Sequence, residues 1–160
     1  MIEFSTTRSP MEDVLMPDPV NLTGDISAAI DGAVLRGHPL AVAFVRDDGS
    51  ASVSFRGGAY VYSPTELAIW VRKRDSGLAA AITERPRVSL VFLEPEGPGA
   101  RYLAIEGRAR IAPELDQEVH DAIVEPERNQ DPDRKGVAVL VEVDSVTGAG
   151  KDGFFQQARD

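Results

Sequence analysis

The stretch Leu40-Ala41-Val42-Ala43-Phe44-Val45, Arg46-Asp47-Asp48-Gly49-Ser50, Ala51-Ser52-Val53-Ser54-Phe55-Arg56 decides the fold class. Its first six residues form a short, apolar, β-leaning run, and Asp47 to Ser50 have the composition of a tight turn. Beyond the turn, Ala51, Val53 and Phe55 alternate with Ser52, Ser54 and Arg56, the period of a half-buried strand with one polar face. Gly57-Gly58 breaks or bulges that strand, Ala59 to Tyr62 continues it, and Ser63-Pro64-Thr65 turns the chain into Leu67 to Arg72. The run reads as an antiparallel meander.

On the N-terminal side, Ile26, Ala29, Ile30, Ala33 and Val34 recur at three- and four-residue steps. This spacing predicts a helix over Asp25 to Arg36, capped by Asp25 or Thr23 and ended by Gly37. Residues 1–23 are polar and proline-bearing and read as an arm. On the C-terminal side, a short helix fits Ser76 to Glu84, closed by Pro86. Strands follow at Val88 to Leu93 and Arg101 to Ile111, separated by the turn-rich Glu94 to Gly99. Pro113 opens a helix reaching about Val124. Glu125 to Lys135 is a charged loop, Val137 to Val143 the last strand, and residues 148–160 a Gly-rich tail carrying Phe154-Phe155. Short turns between most strands, without strict βα alternation, point to a small antiparallel barrel or sandwich rather than a doubly wound sheet.

A chain of 160 residues suits a single domain spanning 1–160. Its 17 basic and 26 acidic side chains give a formal charge of −9. General nucleic-acid binding and attraction to anionic membranes are therefore disfavoured. The absence of cysteine excludes disulfides and thiol chemistry, and with no signal-like N-terminus or apolar span of about 20 residues it fits a cytoplasmic protein.

The two histidines, His38 and His120, lie apart and show no ligand spacing. His38 suits a contact with helix carbonyls, and His120 falls on a polar helix face. No nucleophile elbow, Walker loop or Gly-x-Gly-x-x-Gly fingerprint is present. What stands out in so acidic a chain is a set of cations at strand ends: Arg56, then Arg72, Lys73 and Arg74 just before Ser76-Gly77 opens a helix. Arginine forks and helix-start amides suit a phosphate monoester. The same cluster also suits a solvated turn that keeps sheet edges apart, and composition alone favours that reading. Phe55, Tyr60, Tyr62 and Trp70 read as core or dimer contacts rather than a stacking platform.

From about Pro39 to Ile111 the chain resembles the pyridoxamine 5′-phosphate oxidase-like family of FMN-binding split barrels. Leu40 to Val45 followed by Asp47-Asp48-Gly49 resembles that family's first hairpin. Leu67-Ala68-Ile69-Trp70-Val71-Arg72, then Ser76, then Arg85-Pro86-Arg87-Val88-Ser89-Leu90 resembles its strand, helix start and following strand. Glu106-Gly107-Arg108-Ala109 resembles a run on its long strand.

The resemblance implies a mainly β (α+β) fold, a six-stranded antiparallel split β-barrel with flanking helices. It also implies a homodimer with FMN in clefts at the subunit interface, acting on a small-molecule substrate. Arg56 falls where an FMN-phosphate arginine is expected, Arg72 replaces a phosphate-contacting threonine, Ser76 matches a nearby serine, and Lys73 sits beside them. The backbone of Val53, Ser54 and Phe55 would lie against the isoalloxazine ring. With Val71, Gly77 and Leu78 these residues make up the implied cofactor-binding set. The chain departs from the family pattern where Leu78 and Val61 replace lysines, where Gly77 replaces an arginine, and where the tail lacks the family's pyridoxal-phosphate contacts. Pyridoxamine phosphate oxidation itself is accordingly disfavoured. The implied activity is FMN-dependent oxidoreduction. A deazaflavin-dependent reductase and a non-catalytic flavin-binding dimer are the alternatives, and no side chain recommends itself as a general acid or base.

Overall fold

A computed structural model describes residues 16–160 of the chain. Most of the expected N-terminal arm therefore lies outside the described residues. Its end does not behave as an arm, because Leu22 is fully buried in the main core. The expected first helix divides into α1 (Asp25–Ile30) and a 3-10 turn (Ala33–Arg36). Gly32, at φ 72°, takes the left-handed conformation that interrupts it. Gly24 occupies the cap position, so neither Asp25 nor Thr23 caps α1.

The strands are β1 (Leu40–Val45), β2 (Ala51–Arg56), β3 (Ala59–Ser63), β4 (Glu66–Val71), β5 (Arg87–Leu93), β6 (Tyr102–Ile111), β7 (Val137–Gly150) and β8 (Gly153–Ala158). Between them lie α2 (Gly77–Ile82), α3 (Asp116–Ala122) and α4 (Glu125–Arg128). Every strand pairing is antiparallel, in the order β2-β1-β5-β6-β7-β4-β3, with β8 also on β7.

The architecture is the expected mainly β, split half-barrel, with eight strands in place of six. Among the described residues two strands are added: β8 comes from the expected tail, and β2 and β3 are separate strands where the sequence reads as one strand broken at Gly57-Gly58. Gly148 is where the Phe155 ring packs, so the glycines seat an aromatic side chain within a β7–β8 ladder instead of loosening the chain. Gln156 and Ala158 then bond Asp18 of the N-terminal segment.

The meander is also corrected. β2 and β3 are consecutive in sequence but do not pair; they are the two ends of the sheet order. Gly57 and Gly58 alone join them, a link that spans about 10 Å at most. A sheet whose first and last strands are tethered this closely must curl on itself, and its concave side encloses the core of Leu40, Val42, Leu67, Ile69, Leu90, Phe92, Leu103 and Ile105.

β4 is buried on both faces. Leu67, Ile69 and Val71 enter the main core, while Ala68 and Trp70 join Val119, Ile123, Ala138 and Leu140 beneath α3. His120 is buried, contrary to the polar-face reading. Its ring meets Trp70 edge-on at 4.9 Å and its Nε2 lies 2.8 Å from the Asp131 carbonyl oxygen. The Glu125–Lys135 loop contains α4 and the buried Asp131. His38 Nδ1 contacts the Leu93 carbonyl at the end of β5 rather than a helix carbonyl. Among the described residues, no helix is long and apolar enough to cross a membrane.

Because Leu22 belongs to the core, Leu22→Ala should cost about 2–5 kcal/mol of stability in urea denaturation. A substitution in a mere surface arm would change the midpoint little.

Candidate functional site

A cleft of about 550 Å³ opens where the ends of β1, β2 and β4 approach the start of α2. It is lined by Phe44, Arg46, Ser52, Ser54, Phe55, Arg56, Val71, Arg72, Lys73, Ser76, Gly77 and Leu78. Strand alternation explains the β2 contribution. Ser52, Ser54 and Arg56 share the half-buried face, and Ser52 stands opposite Phe44 in the β1–β2 register. β4 delivers Val71 at its buried end, and the chain then turns through Arg72 and Lys73 to Ser76 and α2.

Nine of the ten residues singled out in the sequence meet here. Val53 does not; it points to the outer face of the sheet and is 70% exposed. Phe55 shares that outward face at 74% exposure yet still borders the cleft. Phe44, Arg46 and Ser52 were missed. Period-two spacing from Ser54 would have found Ser52, whereas Phe44 and Arg46 follow only from the pairing of β1 with β2.

The electrostatics are one-sided. Arg46, Arg56, Arg72 and Lys73 line the cleft, and among the described residues no carboxylate does. Several arginines elsewhere are matched: Arg36 with Glu94 at 2.7 Å, Arg85 with Asp47, and Arg108 with Asp144. Arg74 leaves the expected cluster altogether, pairing with Asp116 and donating to the Gly136 carbonyl. Arg46 is tied back by a 2.9 Å hydrogen bond to the Ala51 carbonyl.

Among the described residues, Arg56, Arg72 and Lys73 have no carboxylate partner. Burial, with the Arg72 charge adding to it, lowers the pKa of Arg56 from its ordinary value. Arg56 Nε and Ser54 Oγ are buried without a hydrogen-bond partner among the described residues. Buried polar atoms are nearly always satisfied, so two orphans in one cation-lined cleft match the donors an anionic ligand requires.

The departures from the split-barrel pattern have a packing explanation. Leu78 is 1% exposed, and Val61 packs against the same core. The two positions serve the hydrophobic interior and contribute no charge to the cleft. Of the aromatic group, Trp70 is buried and Tyr60 and Tyr62 pack against the second core beneath α3, the core side of the core-or-dimer reading, while Phe55 is exposed.

No family model matches the chain, and no curated protein does. Solved structures do. A pyridoxamine 5′-phosphate oxidase-related, FMN-binding protein of Nostoc punctiforme superposes with a TM-score of 0.57 at 13% identity, over 78% of this chain and 80% of that one. A general stress protein 26-related protein of the pyridoxinephosphate oxidase family from Clostridium acetobutylicum gives 0.56 at 9% identity, over 79% and 89%. An F420 reductase gives 0.55 at 19% identity, over 77% and 95%. At these identities the likeness is one of fold. The chain has the split-barrel fold of the pyridoxamine 5′-phosphate oxidase-like proteins, as the sequence resemblance implied.

The orphaned donor has a stability consequence. In phosphate-free buffer, Arg56→Met should leave the ligand-free chain as stable or about 1 kcal/mol more stable, because it removes an unsatisfied buried group. A marked loss of stability in urea denaturation would mean that Arg56 has a partner in solution.

Proposed function

We propose that the cleft binds the phosphate of FMN and that the protein is an FMN-dependent oxidoreductase acting on a small molecule. One observation carries this reading. In a chain of net charge −9, four cations gather in one cleft with no carboxylate among the described residues, and Arg56 Nε and Ser54 Oγ lie buried there with no described partner. A phosphate dianion supplies both the charge and the acceptor oxygens those groups lack.

In this reading Arg56 and Arg72 fork onto the phosphate, Lys73 adds a point charge, and the Ser54 and Ser76 hydroxyls donate. The backbone of β2 along Ser54 and Phe55 flanks the ring. Bound flavin would supply hydride transfer, and the protein's part is to hold and orient it. The likeness to an F420 reductase favours one second reading, a deazaflavin held in the same cleft.

The site also fits a homodimer. The outer face of the β2-β1-β5-β6 region exposes Val45, Val53, Phe55, Val91, Leu93 and Tyr102. Ala41 lies between Phe55 and Val91 in register, which makes that surface continuous. Exposed apolar surface of this kind is commonly covered by a partner. A second copy on this face would close the Phe55 side of the cleft.

Titration with FMN should perturb flavin fluorescence. Arg56→Ala and Arg72→Ala should each weaken binding by about 1.5–3 kcal/mol. Unchanged affinity in both variants would place the phosphate elsewhere. A parallel titration with the deazaflavin separates the two cofactors, and turnover with NADH or NADPH separates an enzyme from a flavin-binding dimer. Light scattering should give twice the chain mass, falling to one chain in Val91→Asp. A wild-type monomer would refute the dimer.

A further inference from the structure

Two of the cleft's three arginines, Arg56 and Arg72, stand at the ends of strands that no β-ladder directly connects. Arg56 ends β2 and Arg72 follows β4, and β2 is joined to the β3–β4 pair only through Gly57-Gly58. Both side chains line the cleft without a described counter-ion, so like-charge repulsion favours spreading the seam. One segment, Glu125–Gly136, touches both sides. At one end, the Glu127 carboxyl sits so close over Gly57, the residue after Arg56, that a Cβ there would stand 2.6 Å from Glu127 Cδ. At the other end, a Cβ on Gly136 would overlap the Val71 carbonyl oxygen and stand 2.9 Å from Arg72 Cα.

Between these ends the segment is anchored to β4. Asp131, buried, accepts hydrogen bonds from Trp70 Nε1 at 3.0 Å, Lys135 N at 2.9 Å and Gly136 N at 2.8 Å. Its own carbonyl meets His120 Nε2. Arg134, at φ 52°, takes the left-handed conformation that closes this turn.

We propose that Glu125–Gly136 is a clamp that sets the spacing of Arg56 and Arg72, with Asp131 and Gly136 as positioning residues for anion binding in the cleft. The inference rests on the cofactor reading above for the identity of the ligand, and on the contacts of this segment for the rest. Neither Asp131 nor Gly136 lines the cleft, so their effect on binding runs through the two arginines.

The test is a double-mutant cycle on the full chain, with FMN and inorganic pyrophosphate as probes, at a temperature where circular dichroism shows every variant folded. Gly136→Ala forces the Arg72 backbone to shift and should weaken FMN binding about tenfold, roughly the worth of one charged hydrogen bond. In that background Arg72→Ala should add less than about twofold, since residues acting as one unit are non-additive. Wild-type affinity in folded Gly136→Ala, or penalties that simply multiply, would overturn the clamp.

Should Gly136→Ala not fold, Asp131→Asn replaces it in the same cycle. The wild-type chain gives an independent readout. FMN should slow hydrogen exchange at the Lys135 and Gly136 amides, because coupling between ligand and clamp is reciprocal. Unchanged exchange at both amides overturns the proposal whichever variants fold. If pyrophosphate binds but FMN does not, the cofactor reading alone falls and the cycle is scored with pyrophosphate; if neither anion binds, both fall.

Discussion

A two-residue tether between the first and last strands of one sheet governs this molecule. β2 and β3 stand at opposite ends of the strand order, yet only Gly57 and Gly58 separate them in the chain. The sheet has to curl until those ends approach, and the curl does two things at once. It wraps the concave face around a continuous apolar core, and it leaves a seam where neighbouring strands come close without exchanging hydrogen bonds. The cleft lies along that seam. Backbone pairing fills the sheet elsewhere, so this is where side chains from β1, β2 and β4 can converge on open space.

Charge gives the seam its chemistry. A net charge of −9 supplies ample carboxylates to neutralise arginines, and Arg36, Arg74, Arg85, Arg108, Arg110 and Arg159 each find one. In the cleft, Arg46, Arg56, Arg72 and Lys73 gather without a carboxylate among the described residues. Leaving Arg56 half-buried, beside Arg72 and without a described counter-ion, costs stability in the ligand-free chain. Such an arrangement persists most naturally where a ligand supplies the missing charge, and that is what recommends the cleft as the proposed cofactor site. The neighbouring Arg74 shows the contrast. It follows Arg72 by two positions, but it is engaged by Asp116 and the Gly136 carbonyl and belongs to the scaffold.

Much of the cleft was legible in the sequence because strand periodicity fixes faces. The alternation Ser52, Ser54, Arg56 against Val53, Phe55 marks a polar side and an apolar side of β2, and the cleft lies on the polar side. Arg72 and Ser76 stood out because cations and a helix start follow directly on an apolar strand. Other features escaped for physical reasons. Phe44 and Arg46 join the site through cross-strand register, which local sequence does not encode. The Gly-rich end of the chain reads as a tail because glycine lowers strand propensity; its role as the seat of the Phe155 ring depends on a side chain seven residues away. The charged stretch after α3 reads as solvated loop, since nothing local shows that Asp131 will meet Trp70 from β4.

The sequence by itself determined the class of fold, the hairpins and the placing of cations at strand ends, because binary patterning and turn composition act over a few residues. Tertiary structure decided which cations remain without partners, which glycines allow backbones to touch, and which strands form the open seam. Those outcomes depend on contacts between residues far apart in the chain, and a one-dimensional pattern carries no term for whether a distant carboxylate arrives beside an arginine or leaves it free.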